Sequence, residues 1–194
     1  MHHKTKTKPL FYFFFAMTAL GVLSGCSSAD EPEPQDQTTT LHPLFACIDE
    51  EFNVNRPLAG NGYDAEQGGL IGSVQESYVV HTTQIFVPPE AETDFFTVLG
   101  PVIAQLAETP GLVGYSLAGD AGCGDYRTLG IWESEEAMYD FVLSGAHAEA
   151  MPQTGTLSEA ARVTHWTATA AEVNALDWDV AQDKIRDIQQ SDLY

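Results

Sequence analysis

The chain has 194 residues, 44% of them hydrophobic and 19% charged, which is the composition of a globular protein rather than a disordered one. It carries 8 basic and 28 acidic side chains, which gives a formal net charge of −20. Because binding to phosphates requires clustered lysine and arginine, this charge argues against a nucleic-acid-binding protein and against docking on anionic lipid through a basic patch. The length favours one domain, or one domain with an extension.

The N-terminal residues 1–25 have the pattern of an export signal. Three lysines within the first eight residues precede the nearly apolar stretch 9–23, which is shorter than the about 20 residues that a membrane span needs. The sequence Leu23-Ser24-Gly25-Cys26 resembles the lipobox of bacterial lipoproteins, in which the cysteine is acylated and becomes the new N-terminus. The resemblance implies lipidation at Cys26 and a location in the bacterial cell envelope, at the outer membrane on its periplasmic side or on the cell surface. An ordinary signal peptide with a coincidental cysteine is the alternative.

Between the predicted anchor and the folded domain lie two segments without clear periodicity. Residues 26–40 are polar, acidic and proline-bearing, which predicts a flexible tether. Residues 41–75 are predicted to form an irregular N-terminal extension. Once Cys26 is acylated, Cys47 and Cys123 remain, and two cysteines in an oxidising compartment predict a disulfide, with two buried free thiols as the alternative.

The rest of the chain alternates between strand and helix periodicity. Strands are predicted where β-branched and aromatic residues concentrate, over 78–87, 112–118, 126–132 and 161–170. Three-and-four spacing of apolar residues predicts helices over 95–106, with a kink at Gly100-Pro101, from the N-cap Ser134 to near Met151, and after the N-cap Asp177.

This order predicts an α+β, ferredoxin-like β-α-β-β-α-β domain over 76–172, followed by a C-terminal helix within 173–194. Its four-stranded antiparallel sheet carries both helices on one face. The other face presents apolar and aromatic residues and must be covered.

Three stretches carry a family resemblance: Pro110–Tyr115, Arg127–Ala137 and Phe141–Met151, in which the spacing of the Trp-Glu, Phe and Ser-x-x-His elements is the most specific feature. Together they resemble the antibiotic biosynthesis monooxygenase (ABM) domain over roughly 78–170. The resemblance implies a homodimer of the dimeric α/β-barrel type, in which two sheets pack face to face. It also implies a pocket between sheet and helices within each subunit.

Some members of this family oxygenate phenols or anthrones with O₂ and without metal or flavin, because the deprotonated substrate supplies the electron. The resemblance therefore implies no cofactor and a small aromatic or quinol-type substrate, held where a base can take a proton and water is excluded. The candidate catalytic bases are His147, His81 and His165, since unperturbed imidazole has a pKa of about 6.5. The candidate substrate-binding aromatic residues are Tyr78, Tyr115, Trp132, Phe141 and Trp166.

Other interpretations stay open at this point. Haem-degrading members ligate iron through a histidine whose position corresponds to Met151, one helical turn after His147, and this difference argues against haem degradation. A structural role would have His147 cap the end of the second helix and His81 and His165 bond within the sheet. The histidines and cysteines lack metal-ligand spacing. The alternative function is a non-catalytic, lipid-anchored binding or stress-related module of the same fold.

Overall fold

The computed structural model describes residues 42–47 and 52–188. The predicted export signal, the lipobox cysteine Cys26 and the tether over 26–40 lie outside the described residues. Within the described ranges, no helix combines the length and the apolar character needed to cross a membrane.

The described strands are β1 (Asn53–Gly60), β2 (Tyr63–Asp64), β3 (Gly69–Leu70), β4 (Ser77–Phe86), β5 (Leu112–Asp120), β6 (Asp125–Trp132) and β7 (Ala160–Thr169). The α-helices are α1 (Glu92–Glu108), α2 (Glu135–Val142), α3 (Gly145–Ala150), α4 (Thr154–Leu157), α5 (Ala170–Asn174) and α6 (Trp178–Ile185). Short 3-10 helices occupy Pro43–Ala46, Ala65–Gln67 and Met151–Gln153.

The strands form one sheet in the order β3-β2-β1-β5-β6-β4-β7, and every neighbouring pair is antiparallel. Elements β4, α1, β5, β6, α2 and β7 follow one another as β-α-β-β-α-β, which confirms the predicted α+β, ferredoxin-like class. The sheet has seven strands rather than the predicted four. The difference comes from the segment 41–75, which was expected to be irregular but supplies β1, β2 and β3.

The strand β1 was not predicted from the sequence, because its pairing with β5 is irregular and leaves no regular alternation of side chains. The register shifts between Val54 and Arg56 and again between Arg56 and Ala59, and Pro57 lies between the two shifts. Each shift interrupts the alternation of inward and outward side chains from which a strand is recognised in sequence. Pairing with β1 nevertheless satisfies the backbone groups of β5, which would otherwise be a free sheet edge.

The helices also differ in detail from the expectation. The first helix is longer than predicted, and the helical assignment is continuous across Pro101. The second predicted helix is divided into α2 and α3, because Gly145 adopts a left-handed φ of 52° between them. This left-handed φ favours glycine, and a Cβ added at position 145 would also lie 2.8 Å from Gln105 Oε1 on α1.

The two faces of the sheet are covered by different parts of the same chain. On one face, α1 and α2 bury an apolar cluster formed by Val102, Leu106, Tyr115, Trp132, Met138 and Phe141. On the other face, residues of the central strands pack against side chains from α5, α6 and the turn between them, with Val80, Ile131, Ala168, Val173, Leu176 and Ala181 in one cluster. The face that was expected to be bare is therefore covered by the chain's own C-terminal residues.

Buried arginines attach these covering segments to the sheet. Arg162 Nε donates to Gln84 Oε1 at 2.7 Å. Its Nη1 donates at 2.9 Å to the carbonyl oxygen of Arg186, which follows the last residue of α6. The guanidinium also lies 4.1 Å from the ring centroid of Phe45 in the N-terminal segment. One buried cation thus holds both termini of the described chain against the same face.

Arg127 makes an analogous set of contacts on β6, on the other side of β4. Its Nε donates to Asp125 Oδ2 at 2.6 Å, its Nη1 donates to the Gln182 side chain on α6, and its guanidinium lies 5.3 Å from the ring centroid of Phe52. A disulfide between Cys47 and Cys123, with Cα atoms 6.2 Å apart, adds a covalent link between the N-terminal segment and the β5–β6 turn.

We expect the disulfide to stabilise the fold strongly, because it closes a loop between residues separated by 76 positions in sequence. Replacing both cysteines (Cys47→Ser with Cys123→Ser) should lower the free energy of unfolding by about 3 kcal/mol, measured by urea denaturation of the full chain without reductant. Wild-type protein in reductant serves as the control and should match the double variant. Equal stability of wild type and variant under oxidising conditions would contradict this expectation.

Candidate functional site

A cavity of about 140 Å³ lies between the helix-covered face of the sheet and the helices α1, α3 and α4. The sheet contributes His81, Thr83 and Thr128 to its wall, and the helices contribute Val102, Leu106 and His147, among other mainly apolar side chains. None of the described side chains lining it is an aspartate, glutamate, lysine or arginine. An apolar cavity with a few converging polar groups is the usual form of a small-molecule site.

His81 is held in the cavity wall by a hydrogen bond from a tryptophan. Trp132 Nε1 donates to His81 Nδ1 at 2.7 Å, and both side chains are buried. Because an indole nitrogen can only donate, His81 Nδ1 must be the accepting nitrogen, and the neutral ring carries its proton on Nε2. The hydrogen bond from Trp132 therefore determines the tautomer of His81.

The environment of His81 keeps the ring neutral. The pKa of His81 is lowered to about 4, mainly by burial away from water and to a smaller extent by repulsion from the charged forms of His147 and His165. Protonation at Nδ1 would also break the hydrogen bond from Trp132. His81 consequently serves as a hydrogen-bond donor through Nε2 at neutral pH and is a poor proton acceptor there.

Gly130 makes room for this ring. It lies directly opposite His81 in the β4–β6 register, and a Cβ added at position 130 would lie 2.2 Å from His81 Cε1. Any side chain at this position would push the imidazole away from Trp132. The sequence analysis missed Gly130, although an isolated glycine inside a predicted strand is a signal for a close approach of another group.

His147 lines the same cavity from α3, but the roles of its two ring nitrogens are the reverse of those in His81. Its Nδ1 lies 3.0 Å from the carbonyl oxygen of Val142, and since a carbonyl only accepts, the neutral ring donates from Nδ1 and keeps a lone pair on Nε2. Burial lowers the pKa of His147, and the hydrogen bond to Val142 partly offsets this effect. The ring packs against Phe141 with centroids 4.7 Å apart.

Gln105 on α1 fixes the start of α3 and with it the position of His147. The backbone N–H of His147 donates to Gln105 Oε1 at 3.0 Å, while Gln105 Nε2 donates to the carbonyl oxygen of Ser144 at 3.0 Å. One amide side chain therefore satisfies groups on both sides of the helix break. The sequence analysis missed Gln105, because a polar residue on an amphipathic helix is normally interpreted as solvent-facing.

The two histidines form a complementary pair. Both line the cavity, and within the described part of the chain neither Nε2 has a hydrogen-bond partner. His81 offers an N–H and His147 offers a lone pair, so the cavity presents one imidazole donor and one imidazole acceptor to a bound molecule. Chemically, such a pair can remove a proton from a bound molecule and stabilise the oxygen anion that results.

The third predicted base, His165, lies elsewhere. It is opposite His81 in the β4–β7 register, but its side chain is 40% exposed and its Nε2 lies 3.1 Å from Glu135 Oε1. Its ring also contacts Tyr139. His165 does not line the cavity, and its side-chain contacts are instead with Glu135 and Tyr139 on α2.

The predicted aromatic residues lie on two opposite faces of the sheet. Phe141 lines the cavity, and Tyr115 and Trp132 are buried on the same side of the sheet without lining it. Tyr78 and Trp166 pack on the opposite face against the C-terminal helices, so they do not line this pocket as expected. Side chains alternate between the faces of a strand, and Tyr78 is an odd number of positions from His81.

In residues 42–47 and 52–188, no three histidine, cysteine, aspartate or glutamate side chains converge in a way that could hold a metal ion.

Comparison with known proteins identifies the domain that contains this cavity. Residues 78–153 match the family model described as antibiotic biosynthesis monooxygenase. The matched residues include His81, Trp132 and His147, and the resemblance to the ABM domain that the sequence predicts is confirmed over this part of the chain. No curated protein matches the chain in sequence.

Solved structures with a similar fold share little sequence with this chain. The Rv0793 protein of Mycobacterium tuberculosis is 19% identical, with 52% of this chain and 96% of that chain covered and a TM-score of 0.43. SnoaB, a cofactor-independent oxygenase from Streptomyces nogalater, is 19% identical, with 48% and 92% covered and a TM-score of 0.39. A structure from Lactobacillus acidophilus is 14% identical, with 50% of this chain covered and a TM-score of 0.42. The match spans 49%, about half, of that longer chain.

The lowered pKa of His81 predicts a specific pH dependence of stability. Between pH 6.5 and 4 the unfolded chain binds a proton at this position and the folded chain does not, so the stabilisation is complete above about pH 6.5 and is lost as the pH falls toward 4. The variant His81→Asn keeps an acceptor for Trp132 but does not titrate. The wild type should lose about 3 kcal/mol relative to this variant between pH 7 and pH 4.

Urea denaturation of both proteins across this range provides the measurement. The many carboxylates titrate in both chains, so their contribution cancels in the difference. Parallel stability curves for the two proteins would show that His81 titrates normally.

Proposed function

We propose that this protein is a monooxygenase that binds a small aromatic or quinol-type molecule in the cavity between the sheet and helices α1, α3 and α4. The observation that carries the proposal is the pair of histidine Nε2 atoms with opposite hydrogen-bonding sense in a mainly apolar cavity. The match of residues 78–153 to a monooxygenase family supports it.

For a hydroquinone, the overall reaction consumes one O₂ and gives a hydroxyquinone and one water. His147 Nε2 accepts a proton from a substrate hydroxyl, and the resulting anion transfers one electron to O₂. The two radicals combine to form a carbon–oxygen bond. The peroxide then takes up a proton, its O–O bond breaks with loss of water, and the ring is left oxidised. The substrate supplies all four electrons, so protein groups only move protons and stabilise charge.

The environments of the two histidines suit these separate roles. His147 has a lowered pKa, so it is neutral and able to accept a proton near neutral pH. His81 retains its Nε2 proton and donates a hydrogen bond to the developing oxygen anion. The apolar wall supplied by α1 limits water in the cavity, which strengthens both interactions.

Oxygen uptake by the purified protein with a panel of hydroquinones and anthrones tests this proposal. The variant His147→Gln should lower turnover by about 100-fold, because it removes the proton acceptor. The matched control is His165→Gln, the same substitution at an exposed histidine outside the cavity, and it should leave turnover unchanged.

Two results would contradict the proposal. Unchanged turnover in His147→Gln would show that another group accepts the proton. Oxygen uptake no faster than the uncatalysed rate, with probes that nevertheless bind, would assign the alternative function of a non-catalytic binding module.

We further propose that the protein acts in the cell envelope as a lipoprotein acylated at Cys26, at the outer membrane. The Leu23-Ser24-Gly25-Cys26 sequence supports the anchor. The disulfide between Cys47 and Cys123 supports an oxidising compartment, since such bonds are rare in reducing ones.

Expression in a bacterial host tests the anchor. Wild-type protein should separate with the membrane fraction and carry the mass of a diacylglyceryl group on the processed N-terminal cysteine. The variant Cys26→Ser should lose both properties, because it removes the thiol that is acylated. Equal membrane association of the two proteins would contradict the proposal.

The homodimer implied by the family resemblance is also proposed here. Since α5 and α6 cover one sheet face within the chain, the contact between two copies would use a surface other than that face.

A further inference from the structure

We propose that Met151 is a modification site at which oxidation by a hydroperoxide closes the cavity to apolar molecules. Conversion of its thioether to the sulfoxide places a strongly polar group in a wall that is otherwise mainly apolar. The inference goes beyond the proposed monooxygenase activity and does not depend on it, because the oxidant can be supplied from outside the protein.

Met151 is the described methionine that the fold leaves accessible. The chain has four methionines, and two of them, Met138 and Met151, lie in the described residues. Met138 on α2 is 5% exposed and packs in the apolar cluster under the helices without lining the cavity. Met151 directly follows the last residue of α3, is half-buried and lines the cavity. A small hydroperoxide therefore reaches the sulfur of Met151 more readily than that of Met138.

The backbone around Met151 holds this side chain at the cavity. Residue 151 keeps the helical φ and ψ of −50° and −48°, and its N–H donates to the carbonyl oxygen of His147. Residues four positions apart lie on the same side of a helix, and both of these side chains line the cavity. Oxidation of Met151 therefore changes the polarity of the part of the wall that also carries His147.

No thiol in the described part of the chain competes for the oxidant. The cysteines within residues 42–47 and 52–188 are Cys47 and Cys123, and a disulfide joins them. A thiolate is the usual first target of peroxide, and the disulfide removes both candidates. The thioether of Met151 is then the accessible sulfur that remains in these residues.

The oxidation is a two-electron oxygen transfer. The sulfur lone pair of Met151 attacks one oxygen of hydrogen peroxide, the O–O bond breaks and an S–O bond forms. The proton on the transferred oxygen passes to the departing hydroxide, which leaves as water. The sulfur is oxidised by two electrons and the peroxide is reduced by two. Methionine sulfoxide reductases reverse this modification, so the site can be switched in both directions.

The sulfoxide opposes the binding of apolar molecules because its oxygen requires a hydrogen-bond donor. An apolar ligand displaces water from the cavity and leaves this oxygen without the hydrogen bonds that water supplied, which is unfavourable. Benzene is a suitable probe, since the cavity of about 140 Å³ is close to the roughly 150 Å³ of a protein cavity that binds benzene. We expect oxidation to weaken benzene binding about tenfold.

Treatment of the full chain with hydrogen peroxide, with its disulfide kept intact, tests the proposal. Peptide mass spectrometry measures the rate of sulfoxide formation, and calorimetric titration measures the affinity for benzene. Met151 should be oxidised at least about tenfold faster than Met138, because access to the sulfur limits the rate. The oxidised wild type should bind benzene about tenfold more weakly than the untreated protein.

Three variants separate Met151 from other effects of peroxide. Met151→Leu keeps a similar apolar volume without sulfur, so it should bind benzene like the untreated wild type before and after treatment. Met138→Leu is the matched control and should lose affinity on treatment as the wild type does. Met151→Gln introduces a polar group without oxidant and should bind benzene about tenfold more weakly than Met151→Leu. Circular dichroism checks that each variant folds.

Equal oxidation rates at Met138 and Met151 overturn the assignment of the site. Unchanged benzene affinity in wild type that is fully oxidised at Met151 overturns its control of the cavity, and so does a loss of affinity in peroxide-treated Met151→Leu. Failure of the untreated wild type to bind benzene contradicts the access of apolar molecules on which the proposal depends. Oxygen uptake is not measured in any of these experiments, so the monooxygenase proposal is tested separately.

Discussion

The hydrogen bond from Trp132 Nε1 to His81 Nδ1 is the interaction on which the proposed site depends. It joins the last residue of β6 to a residue in the middle of the neighbouring strand β4, so the pairing of these strands sets its geometry. It fixes the proton of His81 on Nε2, and burial keeps the ring neutral. The bond also explains Gly130, since the imidazole occupies the space where a side chain would be. A tryptophan that the resemblance assigned to the substrate pocket instead orients the histidine in the cavity wall.

The opposite face of the sheet is equally important for understanding the chain. Residues of α5 and α6 cover an apolar surface that the family resemblance assigned to a second subunit. Two buried arginines hold α6 and the N-terminal aromatic residues against it, and the disulfide closes the N-terminal segment onto the β5–β6 turn. These segments cover one face, and the cavity lies on the other face, between the sheet and the helices α1, α3 and α4.

Much of the fold could be predicted because its elements follow simple periodicities. The strands β4 and β6 were predicted from concentrated β-branched and aromatic residues and the helix α1 from three-and-four spacing, and Ser134 and Asp177 are the N-caps that were predicted. The strand β1 was missed, because register shifts around Arg56 remove the alternation. The break between α2 and α3 was missed too, since it depends on Gln105, which is distant in sequence and meets Gly145 only in the folded chain.

The sequence by itself determined the fold class and the resemblance of residues 78–153 to the ABM domain, because these depend on local patterns and on motif spacing. It offered His81 and His147 as candidate bases. Only the tertiary structure decided what each histidine can do. The tautomer of His81 is set by Trp132, 51 residues away, and that of His147 by the carbonyl of Val142. Strand parity likewise placed Tyr78 on the far face, away from the cavity. Hydrogen-bond direction and side-chain orientation depend on which groups meet in space, and sequence spacing does not specify those encounters.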